Sequence, residues 1–135
     1  MLQSDYLVRM FTALAVAIRE SMERARGDMD PSGAAMLLEE AFSQATDVDG
    51  AMLLKLAPES MVSVLQISGS DPILMGYLSR TLLLESRYLK QANDFNLAEL
   101  RHNQAHAIAQ AYGFELDDEM IEPEALDEFF EHHQE

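Results

Sequence analysis

Apolar residues recur three and four positions apart through most of this chain, and no stretch alternates convincingly with the period of two that a strand requires. The pattern predicts an all-α protein, a compact array of about six or seven antiparallel helices. Leu7, Phe11, Leu14, Ile18, Met22 and Ala25 form one stripe, widened by Met10 and Ala17. Ser4 or Asp5 caps that first helix, which runs to about Arg26 and stops at Gly27. Asp30-Pro31 is a start signal, because Asp accepts hydrogen bonds from the free amides of a first turn and Pro at the first position gives up no bond. A second helix follows to about Ala45, with Leu37, Leu38, Ala41, Phe42 and Ala45 inward. Asp49-Gly50 opens a short third helix, Met52 to Ala57. Pro58-Glu59 opens a fourth, with Val62, Leu65 and Ile67 inward, which Gly69 ends.

Asp71-Pro72 repeats the start signal, and the stretch to Tyr112 reads as two long helices folded back on one another at Asn93-Asp94. Ile73, Leu74, Tyr77, Leu78, Leu82, Leu84, Tyr88, Leu89 and Ala92 cover a broad arc of the first of these. So wide an apolar face predicts a central position. The second, from about Phe95 to Tyr112, turns Leu97, Ala98, Leu100, Ala105, Ile108, Ala109 and Tyr112 inward and stops at Gly113. Two charges break these arcs in a matching way: Glu85 in one and Arg101 in the other. Folding back at residues 93 to 95 sets them at similar heights. Either charge buried alone costs several kcal/mol, so a buried or half-buried ion pair that fixes register is expected, ahead of a catalytic role.

Leu82, Ser86, Leu89, Asn93-Asp94-Phe95, Ala98 and Ala105 resemble one tetratricopeptide repeat, with a small residue in the first helix and two alanines seven apart in the second. Asn93 stands where the family has Gly, Ser86 where it has Gly or Ala, and no Pro closes the repeat. The resemblance covers about a third of the chain and implies a hairpin that needs neighbouring helices to bury its faces. The opening Ser4-Asp5-Tyr6-Leu7-Val8-Arg9 is similar to the start of a bacterial all-helical family of unknown function, which implies a fold and no activity.

Composition narrows the function classes. The chain has 135 residues, enough for one domain with a real core, and no Cys, so neither disulfides nor cysteine metal sites can form. A net charge of -15 argues against nucleic acid and anionic membrane, which need clustered Lys and Arg. That charge is unevenly placed: residues 102–135 carry ten acids and no Lys or Arg, whereas residues 1–26 carry four Arg against three acids. The apolar run Met10–Ile18 is too short for a bilayer, which needs about 20 apolar residues, and lacks a basic leader; the chain reads as cytoplasmic.

Candidate chemistry is sparse. Asp47-Val48-Asp49-Gly50 hints at a calcium loop, but that register puts Ala45 and Leu56 at the first and last ligand positions, so helix capping explains the aspartates. Glu99, His102 and His106 share a helix face at metal-ligand spacing, and His132 and His133 are further imidazoles. The Glu-x-x-His element occurs once and points outward, so surface histidines are the simpler reading. No Gly-rich elbow or phosphate loop accompanies the serines. Pro123 begins a last helix with Leu126, Phe129 and Phe130 on one side, to be docked on the core or offered to a partner, and residues 131–135 are expected to fray. The reading is a non-enzymatic helical interaction or scaffold domain without a cofactor. Leu7, Phe11, Leu14, Ile18, Leu126, Phe129 and Phe130 are candidate interface residues, and the first helix leaves room for a homodimer. The alternative is a metal-binding protein or metal-dependent enzyme using Glu99, His102 and His106.

Overall fold

The computed structural model describes residues 2–46, 49–69 and 71–133. Among them are seven α-helices and no strand: α1 (Leu2–Arg26), α2 (Pro31–Gln44), α3 (Gly50–Leu53), α4 (Pro58–Ile67), α5 (Pro72–Gln91), α6 (Phe95–Tyr112) and α7 (Pro123–His133), with a 3-10 turn at Asp118–Ile121 before α7. The caps follow from local chemistry. Asp30 accepts from the Gly33 amide and Asp71 from the amides of Ile73 and Leu74, each with Pro just inside the helix. Asn93 (φ 65°) and Gly113 (φ 74°) adopt the left-handed conformation that ends α5 and α6.

The α5–α6 hairpin is the centre. α5 packs on α6, α2 and α1, and α4 covers α6. Nearly every side chain from Leu74 to Leu89 is buried, polar Ser79, Thr81, Glu85 and Ser86 included. Such a helix is apolar enough all round to be enclosed, and its serines and threonine satisfy themselves locally: Ser79 Oγ donates to Gly76 O, Thr81 Oγ1 to Tyr77 O, and Ser86 Oγ crosses to Ala98 O at 2.7 Å. α7 docks through aromatic rings. Tyr77 stacks on Phe11 with centroids 4.7 Å apart, and Phe130 and Phe129 close over the other side of Tyr77 at 5.8 and 4.8 Å. Gly76 makes this approach feasible, since a Cβ there would lie 3.2 Å from the Phe129 ring. Arg80 lies 3.8 Å over that ring, and Arg19 pairs with Asp127 at 3.4 Å.

Several expectations need correcting. α1 is already helical at Leu2, so Ser4 and Asp5 lie within its first turn rather than capping it. α3 spans Gly50–Leu53 and gives way to a turn instead of reaching Ala57. Ile67 is 86% exposed and Met61 is buried in its place, because residues 61, 62 and 65 share a face from which position 67 turns away. Ile73, in the first turn of α5, is also exposed. Residues 131–133 are helical, not frayed, while 134 and 135 lie outside the described residues, as do Asp47 and Val48 of the rejected calcium loop. The α-helices contain no segment long and apolar enough to cross a membrane among the described residues.

Candidate functional site

Two places gather unusual side chains, and they differ in kind. The first is a polar seam inside the hairpin. Arg101 of α6 is 4% exposed, and Glu85 of α5 is fully buried. Arg101 Nε donates to Glu85 Oε2 at 2.9 Å, Nη2 donates to Glu39 Oε2 of α2 at 3.2 Å, and Nη1 donates to Leu54 O at 2.7 Å and Gln104 Oε1 at 3.1 Å. Gln104 Nε2 in turn donates to Leu54 O at 3.0 Å and Leu56 O at 2.9 Å. Leu54 caps the short α3 and Leu56 lies in the turn before α4, where helix bonding runs out. Arg101 and Gln104 therefore clamp the α3–α4 connection onto α6 while joining α2 and α5.

The charge balance of the seam is uneven, with two carboxyls on one guanidinium. Burial pushes the Glu85 carboxyl well above its ordinary range; the neighbouring Glu39 carboxyl pushes the same way, and Arg101 opposes both. Glu85 Oε1 is buried and accepts no hydrogen bond among the described residues. The arrangement holds four elements in register, and Arg101 has its donors committed to backbone and carboxylate.

The second place is a groove of about 450 Å³ between α1 and α2. Leu14 and Ala45 form its floor, and Met10, Ala13, Ala17, Leu37 and Ala41 its walls, with Tyr6, Arg9, Glu20 and Glu40 around the rim. Ala13 is exposed, and Met10, Ala17, Leu37 and Ala41 are half-buried. The groove exists because α1 is apolar on two sides. Phe11, Leu14, Ala15 and Ile18 face the core, and the residues between them face outward.

The predicted interface residues are redistributed by this geometry. Phe11, Leu14, Ile18, Leu126 and Phe130 are buried by the chain itself, and Leu7 and Phe129 are half-buried against the same core. Their apolar surface is largely used inside the fold, and the apolar surface that α1 leaves in the groove comes from Tyr6, Met10, Ala13 and Ala17. Met10 also packs against the core, as its place widening the stripe implies, while Ala13, exposed between Phe11 and Leu14, is the groove residue the periodicity does not mark.

His102 and His106 lie side by side on α6 with ring centroids 4.4 Å apart, both half-buried, while Glu99 is exposed. Burial, and then His106, lower the pKa of His102. Among the described residues no group of three or more His, Cys, Asp or Glu side chains is placed to hold a metal ion. His132 bonds to Glu128 O in α7. No family model, curated protein or solved structure matches the chain.

Proposed function

We propose that this chain is a non-enzymatic helical scaffold that binds a protein partner, and that the α1–α2 groove is where it binds. The groove carries the reading: an apolar trough bounded by two rigid helices is the shape into which an amphipathic helix lays its apolar face. The tetratricopeptide-like hairpin supports a scaffold class, but its own faces are covered by α1, α2 and α4, which leaves the binding role to the outer pair. Ser21, Ser79 and Ser86 support the non-enzymatic side, since their hydroxyls donate to backbone carbonyls and are engaged in the fold. The metal alternative keeps two imidazoles and an exposed Glu99 without a converging third ligand among the described residues, so we do not adopt it.

Capture from native cell extract with the tagged full chain, compared with its Ala13→Glu variant, tests the reading. Ala13 is exposed, so the variant is expected to fold normally while placing a charge in the trough. Retention of a protein, a second untagged copy included, by the parent and its loss with the variant is the expected result. Retention that ignores the substitution, or no retention, overturns the proposal.

A further inference from the structure

The groove is self-complementary, and this names its occupant. Arg9 and Glu20 stand at opposite ends of the outward face of α1, and among the described residues neither forms an ion pair within the chain. They are eleven positions apart, roughly 16 Å along the axis at 1.5 Å per residue. A two-fold axis crossing midway, beside Leu14 and Ala15, turns an identical helix antiparallel and sets Arg9 of each copy against Glu20 of the other. Such an isologous contact makes both ion pairs at once. Between the charged ends lie Met10, Ala13 and Ala17, and Ala side chains allow two helix axes to approach closely. Leu37 and Ala41 of α2 provide the far wall for the incoming helix. Two α1–α2 pairs then form a four-helix interface.

Overall charge favours the same face. A chain of net charge -15 repels its own copies nearly everywhere, yet residues 1–26 carry four Arg and three acids and are close to neutral. A foreign partner needs only an apolar ridge; it does not require basic and acidic ends spaced symmetrically about a midpoint. We infer that the groove is filled by α1 of a second copy of this chain, in an antiparallel two-fold dimer. The inference rests on the groove being a docking surface and specifies what docks.

Sedimentation equilibrium of the purified full chain and of two single variants, Arg9→Glu and Glu20→Arg, tests it. The parent is expected to be a dimer at tens of micromolar. Each variant sets like charges together twice per dimer and weakens association about tenfold or more. Mixing the two variants restores it, because Glu at position 9 then meets Arg at position 20, and Arg at 9 meets Glu at 20. A monomeric parent, variants that dimerise unchanged, or a mixture that stays dissociated overturns the inference. A monomeric parent whose extract partner is still lost on Ala13→Glu removes the second copy and leaves the scaffold proposal standing.

Discussion

The seam between α5 and α6 and the groove between α1 and α2 solve opposite problems. In the seam, Arg101, Glu85 and Gln104 are buried, and with the half-buried Glu39 they answer one another and the carbonyls of Leu54 and Leu56. In the groove, apolar side chains lie where water has access, and no segment among the described residues fills the trough. The first arrangement ties four elements of the fold together; the second leaves apolar surface uncovered among the described residues. Unusual polarity in a core is therefore not by itself a sign of chemistry here, whereas apolar surface left over is the better pointer to function.

Substitutions can break or sharpen this contrast. The largest effect is expected from Arg101→Met, which strands Glu85 and releases Leu54 O; equilibrium urea unfolding should show a loss of about 3–5 kcal/mol. Combining it with Glu85→Leu should recover part of that loss, because the unpaired buried carboxyl goes with its partner. A single variant within experimental error of the parent would show the seam to be dispensable.

A smaller effect is expected in the pH dependence. A carboxyl whose pKa is raised on folding keeps its proton in the folded chain after the unfolded chain has lost it. The stability it contributes is full below the ordinary value of 4.5 and drains as pH rises through that value toward the raised folded one. As pH rises above the ordinary value of 4.5, the melting temperature of the parent should therefore fall more than that of Glu85→Gln, which cannot ionise. Parallel slopes would remove the raised carboxyl from the account. The smallest effect on stability belongs to Ala13→Glu, expected within about 0.5 kcal/mol of the parent, since the site is exposed and helical. A loss of several kcal/mol there would make the groove a structural element rather than a docking face.

Much of the frame was legible in the residues. Asp30-Pro31 and Asp71-Pro72 announce helix starts because capping and the missing proline amide are local chemistry. Glu85 and Arg101 could be matched across the turn because each is a single charge inside an apolar arc, and the turn at Asn93 fixes the distance to both. Gln104, Glu39 and the carbonyls of Leu54 and Leu56 were not legible: their meeting depends on where α2, α3 and α4 settle on the hairpin, which no helical period encodes. The same limit explains Ile67 and Ile73. Hydrophobicity marked them as inward, but their angular positions on α4 and α5 face water. On α1 the period showed one apolar stripe, to which Met10 belongs, and did not mark the exposed Ala13 beside it in the groove.

Photochemical carbene footprinting of the purified full chain across a range of concentrations reads the groove directly. Labelling of Met10, Leu37 and Ala41 should fall as concentration rises, while exposed Ile67 and Phe95 label to the same extent throughout. Groove residues that label in step with Ile67 and Phe95 at every concentration would contradict the assignment of this trough as the face where a second copy docks.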